Sequence, residues 1–379
     1  MDRRKFLGAA SVAAGTSLLA CGSQNGGRTG NDASAGDEGS GPAVVTGPRV
    51  SWRLTSSYPR NLDILHGASE AVAERVASLT DDRFRIRVHP PGELVPGLEV
   101  MDAVQQGTVH CGLTAGYYYI GKNPALAFDT AVPFGLTARQ RFAWLYEGGG
   151  LELLREVYSD FGIHSIPLGS TGGQWGGWFR QPVDSLDDLR GLRMRIPGLA
   201  GEIMSRLGVT VQVLAGADIY PALERGAIDA TEWVGPYDDE KLGFHEIAQY
   251  YYNPGWWEPG VTTTLQVSRA AWDELPSQYR QALESACRET TLITLARYDA
   301  ANPPALARLV DDHGVELREF SDEILAAAWE TSEAYLAEQA EADPDFRRIH
   351  DHLRAFRETA FRYFGTNDEA YSRFAFGRV

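Results

Sequence analysis

After Cys21 the chain keeps only two cysteines, Cys111 and Cys287. A disulfide framework is therefore absent, and although one bridge between the two is possible in an oxidising compartment, a pair of buried thiols is the expectation. No P-loop, GxSxG, HExxH or CxxC pattern occurs, so the common nucleotide, serine-hydrolase, zincin and dithiol chemistries have no sequence signal. Positive charge is scarce as well: 35 Lys and Arg stand against 51 Asp and Glu, for a formal net charge of -16. That balance argues against nucleic acid or an anionic membrane surface as partner. An acidic protein still binds an anion where a local Arg or a bound cation reverses the sign. Beyond the first twenty residues no apolar run is long enough to span a bilayer, and no internal repeat is visible.

What is present is material for a large core, with 44% hydrophobic and 23% charged residues in 379, enough for two lobes. Residues 1–21, MDRRKFLGAASVAAGTSLLAC, combine a basic start, the twin Arg3-Arg4, an apolar stretch and small residues before Cys21. This is a Tat-type lipoprotein signal with a lipobox, Leu18-Leu19-Ala20-Cys21, which makes Cys21 the lipidation site of an exported, membrane-anchored protein. Residues 22–48, rich in Gly, Ser, Ala, Asn and Asp, read as a flexible tether.

The remainder alternates strand and helix patterns. Strands are expected at Val50 to Thr55, Arg85 to His89 and Val109 to Thr114, with helical spacing of Leu65, Ala68, Val72, Val76 and Leu79 between the first two. The βαβαβ order implies a largely parallel sheet covered by helices. A helical block from Thr137 to Tyr158 leads to a strand at His164 to Leu168. A second set follows: strands at Leu192 to Ile196, Val209 to Leu214 and Ile228 to Val234, with helices at Leu199 to Leu207 and Ala217 to Arg225. The strand Thr262 to Val267 returns to the first set. We expect an α/β fold of two lobes, 49–170 with 262–302 and 171–261 with 303–379, and a nearly all-helical region from Pro276 onward. His350 and His352 are an unpromising metal pair, since i,i+2 side chains on a helix point apart.

The stretch Glu224 to Phe244 organises the chain: Gly226 stops a helix, a short strand follows, and Gly235-Pro236 ends it just after Glu232-Trp233. Glu232 then stands at a strand's carboxyl end, where open α/β sheets bind ligands. A glutamate so placed is ordinarily solvated, but three other stretches carry groups suited to the same small ligand. In RMRIPG, Arg195 is nearest the strand end and offers a fork that grips a carboxylate, although an ordinary surface ion pair fits that segment equally. Gln174, Glu232 and Glu258 supply hard oxygens that suit Na⁺, Mg²⁺ or Ca²⁺ rather than zinc. Their spacing alone does not define a site. Trp175, Trp178, Trp233, Trp256 and Trp257, with Tyr117 and Tyr118, flank these residues; most are expected in the core and two or three at the pocket.

The motifs GGQWGGWF, LRMRIPGLAGEIMSRLG, ALERGAIDATEWVGPYDDEKLGF and YYNPGWWEPG, in that order, resemble those of the extracytoplasmic solute-binding proteins of tripartite ATP-independent periplasmic (TRAP) transporters. The likeness covers about residues 50 to 370 and is greatest to the branch that takes 2-oxo and 2-hydroxy monocarboxylates, such as pyruvate or lactate, with a metal ion. The resemblance implies a two-lobed periplasmic binding protein fold that closes on its ligand, with no catalysis. It implies that Arg195 pairs with the ligand carboxylate, that Tyr117 and Tyr118 face the ligand, and that Gln174, Glu232, the Trp233 carbonyl and Glu258 hold the ion. Two carboxylates favour Ca²⁺, with Na⁺ the alternative carried by relatives that have an amide at the position of Glu258. The implied partners are a small carboxylate, integral-membrane TRAP permease subunits and, as in some relatives, a second copy of the chain. Another carboxylate bound without metal, a C4 dicarboxylate or a sugar acid, stays open, as do a metal-dependent enzyme and a sensor docking on a membrane receptor.

Overall fold

The structure, a computed structural model, describes residues 47–378. The signal and most of the tether, with Arg3, Arg4 and Cys21, lie outside the described residues. The strands are β1 (Val50–Ser56), β2 (Phe84–His89), β3 (Cys111–Thr114), β4 (Ile163–Gly172), β5 (Gly177–Phe179) and β6 (Arg193–Arg195). They continue as β7 (Thr210–Gln212), β8 (Ala230–Thr231), β9 (Tyr250–Asn253), β10 (Val261–Ser268) and β11 (Glu316–Glu319).

Two sheets result. One has the order β2-β1-β3-β10-β4 and the other β11-β9-β5-β8-β6-β7. In the first, β1, β2 and β3 pair in parallel as the βαβ pattern requires, while β10 runs antiparallel to both β3 and β4. In the second, β6 pairs in parallel with β7 and β8, while β5 is antiparallel to β8 and β9. The antiparallel members β5 and β10 are the strands on which the chain changes sheets. It crosses at 173–176, between β4 and β5, and returns at 254–260, between β9 and β10. A third passage joins the helix Ser277–Asp311 to β11.

Several elements differ from the pattern-based expectation. The helical block 137–158 is two helices, Ala138–Tyr146 and Gly150–Asp160, because Gly148 and Gly149 break it, the latter at φ 83°. The strands expected at 209–214 and 228–234 shrink to three and two residues, since the chain leaves the sheet after Gln212 and after Thr231. The region beyond Pro276 also holds β11, whose ELRE sequence offers no apolar alternation; it is an edge strand paired in parallel with β9. Helix Ser277–Asp311 packs on β4 and on Gly67–Leu79. Helix Asp322–Ala342 packs on Gly198–Arg206, and Pro344–Thr366 packs on Asp322–Ala342 and on Gly150–Asp160. Cys111 and Cys287 are buried free thiols.

The two crossing segments lie backbone against backbone. Gln174 N–H donates to the Glu258 carbonyl at 3.0 Å, and Gly176 N–H to the Tyr252 carbonyl at 2.8 Å. This approach needs glycine at 255, where a Cβ would sit 2.3 Å from the Gln174 carbonyl oxygen. Gly255→Ala is therefore expected to destabilise the protein by about 2–3 kcal/mol, read as a lowered midpoint in denaturant unfolding, because the collision is with backbone that cannot rotate away.

Candidate functional site

β6 and β8 are parallel neighbours with Arg195 opposite Thr231, so their carboxyl ends bring Arg195 and Glu232 together. Arg193, two residues back on the same strand face, is taken up elsewhere: it is half-exposed and its Nε donates to Asp229 at 2.8 Å. Arg195 is 1% exposed, and so is the Glu232 with which its Nη1 forms a direct ion pair. The Arg195 Nε donates to the Leu214 carbonyl at 3.1 Å, and its Cζ lies 5.2 Å from the centre of the Trp233 ring. Its Nη2 is buried with no partner.

The crossing segments bring the other two polar residues. Gln174 and Glu258 face each other through the hydrogen bond between their backbones, and both side chains are buried. Gln174 Nε2 donates to Thr171 Oγ1 at 3.4 Å, leaving Oε1 without a partner. Glu258 Oε2 is likewise buried and unpartnered. Two orphaned hard acceptors beside a carboxylate want a cation.

The opposite wall comes from the first sheet. Tyr117 and Tyr118 occupy a short 3-10 turn, Gly116–Tyr119, directly after β3, and their rings meet edge to face at 4.9 Å. The turn requires Gly116, where a Cβ would lie 2.4 Å from the Leu126 carbonyl. The amino end of helix Gly198–Arg206 closes against Tyr117: at Gly198, with φ 66°, a Cβ would come within 2.9 Å of the tyrosine Cβ. Between the walls is a nearly closed cavity of about 10 Å³, lined by Tyr58, Tyr117, Tyr118, Gln174, Arg195 and Trp233 among others. That holds about one water, so a small acid enters only when the walls part.

Tyr58 escaped the sequence reading. It follows β1 as Tyr117 follows β3, on a parallel neighbour, so the strand-end rule that picked out Tyr117 applies to it equally. The remaining aromatic candidates sit in the core. Trp175 and Trp178 stack on Tyr251 at 4.6 and 4.0 Å, Trp256 stacks on Phe134 at 5.1 Å, and Trp257 packs on Phe320. The Trp178 indole and the Tyr251 hydroxyl both donate to one oxygen of Asp239, whose other oxygen accepts from the Val234 and Gly235 N–H groups. Asp239 thereby fixes the turn that carries Glu232 and Trp233. His352 accepts the Trp144 indole N–H at 3.0 Å and is structural.

Burial dominates the electrostatics. It raises the Glu232 pKa despite the opposing pull of Arg195, and raises that of Glu258 further, with the Glu232 charge adding to the effect. Burial works against the charge on Arg195, but Glu232 and the tyrosines outweigh it and leave the guanidinium pKa above its ordinary value. Burial also lifts Asp238 to about 7 and Asp239 to about 6. Among the described residues no group of three His, Cys, Asp or Glu side chains is arranged to hold a metal. The set at this site has two carboxylates, and its remaining donors are an amide and a backbone carbonyl, which suits a hard ion of the Na⁺ or Ca²⁺ kind.

These shifts fix a sign. A carboxyl whose pKa is higher folded than unfolded holds its proton more tightly in the native state, so its stability contribution is complete at low pH and lost as pH rises through the folded value. Metal-stripped protein is expected to lose on the order of a few kcal/mol between the ordinary carboxylate range and pH of about 7, measured by denaturant unfolding in chelator across that window.

The sequence model of the DctP family, bacterial extracellular solute-binding protein family 7, matches residues 55–343. A Nostoc protein described as a monocarboxylate 2-oxoacid-binding periplasmic protein is 49% identical over 377 residues, 99% of each chain. A TRAP transporter solute-binding protein from Bordetella bronchiseptica, a mixed-occupancy dimer with copurified calcium and picolinate in one site, superposes with a TM-score of 0.86. It is 45% identical, covering 88% of this chain and 98% of its own. A TRAP solute-binding protein from Pseudoalteromonas atlantica with bound sodium and pyruvate gives a TM-score of 0.84 at 36% identity, covering 86% and 99%.

Proposed function

The chain belongs to the DctP family of TRAP transporter solute-binding proteins, and from that membership we propose that it captures a small 2-oxo or 2-hydroxy monocarboxylate, of the pyruvate or lactate kind, together with a metal ion. The role is carriage without chemical change. One observation carries the reading: Arg195 Nη2, Gln174 Oε1 and Glu258 Oε2 are all buried and unpartnered, the first two on residues that line one small cavity and the third on the residue whose backbone is hydrogen-bonded to Gln174, a cationic donor and two hard acceptors that a metal carboxylate satisfies together. The relatives with 2-oxo acid, calcium or sodium in their descriptions support the same ligand class.

Arg195 takes the ligand carboxylate, and Tyr117, Tyr118 and Tyr58 enclose the ligand from the first sheet while Trp233 supports the guanidinium from below. Gln174, Glu232, the Trp233 carbonyl and Glu258 hold the ion, which supplies positive charge to the acid's oxygens. Charge balance favours Ca²⁺ over Na⁺. One guanidinium, two carboxylates and a monocarboxylate sum to -2, which a divalent ion cancels and a monovalent ion leaves at -1 in a water-poor pocket. The boundaries 49–170 with 262–302 and 171–261 with 303–379 describe lobes that close over this site by a hinge at the crossing segments. Upstream, the twin Arg3-Arg4 and Cys21 support export by the Tat route and a lipid tether, from which the protein delivers its ligand to membrane permease subunits.

Two measurements test this. In a thermal-shift panel on metal-stripped protein, pyruvate or lactate with Ca²⁺ is expected to raise the melting temperature more than either with Na⁺ or Mg²⁺, since a ligand specific to the folded state stabilises it by mass action. Stabilisation by a C4 dicarboxylate or a sugar acid without any cation would overturn the ligand class. Arg195→Ala is expected to weaken acid binding by about 2–5 kcal/mol in titration calorimetry, as the buried carboxylate loses its charged partner.

A further inference from the structure

Arg195 and Glu232 are the only two charged groups of the site that already satisfy one another, and the geometry points to Glu232 as a resident stand-in for the ligand carboxylate, which makes cation binding precede acid binding. The inference rests on the ligand class proposed above and concerns the order in which this chain accepts its two ligands.

Three features carry it. First, the Arg195 fork is occupied: Nε is given to the Leu214 carbonyl, Nη1 to Glu232, and Nη2 alone is open. An incoming acid therefore finds one free nitrogen, Nη2, where a two-point grip uses two neighbouring nitrogens. Second, an acid arriving alone brings another negative charge into a site that is almost dry, where the one buried cation, Arg195, is already paired with Glu232. Third, the groups that would draw Glu232 away from Arg195 are already positioned. The Glu232 backbone N–H donates to the Arg195 carbonyl at 3.3 Å, and the crossing segments hold Gln174 Oε1 and Glu258 Oε2 without partners. A cation shared by those two oxygens and Glu232 gives the Glu232 carboxylate a second place to go and leaves Nη1 and Nη2 together for the acid. An acid that displaces Glu232 by itself exchanges one buried carboxylate for another and leaves the first without its cationic partner, which costs affinity.

Order-of-addition calorimetry on metal-stripped wild-type protein, with Ca²⁺ and pyruvate as probes and tryptophan fluorescence as a second readout of Trp233, tests this directly. Ca²⁺ alone is expected to bind, pyruvate alone to give neither heat nor a fluorescence change, and pyruvate to bind once Ca²⁺ is present. In Glu232→Gln, which keeps the shape but not the charge, pyruvate is expected to bind the stripped protein at least roughly tenfold more tightly than it binds stripped wild type, while Ca²⁺ binds more weakly. Pyruvate binding to stripped wild type within roughly tenfold of its affinity for the Ca²⁺-loaded form overturns the order. A folded Glu232→Gln that gains no metal-independent affinity overturns the stand-in role. If the variant does not fold by circular dichroism, the wild-type titrations decide alone. Failure of the ligand class reads differently: wild type then binds no 2-oxo or 2-hydroxy acid with any cation, in either order.

Discussion

A charge removed from water must find a partner or lose its charge, and that constraint shapes everything around the cavity. Arg195 is a large, fully buried side chain at the end of a three-residue strand, a position it could not hold without Glu232 across the β6–β8 pair. Glu232 in turn depends on a turn whose conformation Asp239 pins through the Val234 and Gly235 N–H groups. Asp239 is itself held by the Trp178 indole and the Tyr251 hydroxyl, and those rings are stacked. The stack is thus a support for the carboxylate that holds the carboxylate that neutralises the arginine. A tryptophan four ångströms from a tyrosine in the core and an ion pair at the cavity are parts of one dependency.

The crossing segments add a second dependency. Gln174 and Glu258 sit on the only backbone that passes directly between β4 and β5 and between β9 and β10, and the two passages are hydrogen-bonded to each other. Side chains placed there sense the relation between the sheets. A ligand that engages Gln174 and Glu258 on one hand and Tyr117 and Tyr118 on the other binds one arrangement of the lobes better than any other, and only that difference in affinity can shift the population toward closure. Gly116, Gly198 and Gly255 sit where backbone or tyrosine comes too close for a Cβ, so the tyrosine turn, its contact with helix Gly198–Arg206 and the pairing of the crossing segments all depend on residues with no side chain to object.

Much of this was legible in the sequence, for physical reasons. Arg195 and Glu232 were found because a strand end followed by Pro-Gly or Gly-Pro is a punctuated signal, and the rule that ligands gather at such ends then names the residue. Local pattern could also separate helix from strand through the first lobe, where apolar spacing is regular. It could not see β11, because an edge strand made of Glu, Leu, Arg and Glu buries almost nothing and leaves no periodicity. Nor could it rank the tryptophans: Trp175 and Trp233 each neighbour a polar residue in sequence, yet one stacks on Tyr251 and the other lies under Arg195. That difference is set by the paths of two irregular segments, the crossing at 173–176 and the turn after β8, which carry no periodic pattern. Tyr58 was missed although its strand had been identified, since a lone tyrosine in Ser57-Tyr58-Pro59 belongs to none of the motifs that carried the other candidates.

The Arg195–Glu232 pair has a thermodynamic consequence that a preformed, empty fork would not have. Breaking it to admit a ligand costs interaction free energy, so affinity for the acid is lower than Arg195 alone could provide. The same pair removes the penalty of a naked guanidinium in a dry cavity, which would otherwise hold the empty site open or fill it with whatever anion was at hand. With Glu232 in place, a stray anion must compete against a carboxylate tethered within bonding distance, whose effective concentration no free ion matches. Under the binding order proposed above, only a cation that has already entered offers Glu232 an equivalent partner in exchange. On the proposed function, selectivity for an oxo or hydroxy acid over an ordinary carboxylate would then follow from a competition internal to the site, in which the acid's second oxygen matters because it adds a contact to the ion that has released the arginine.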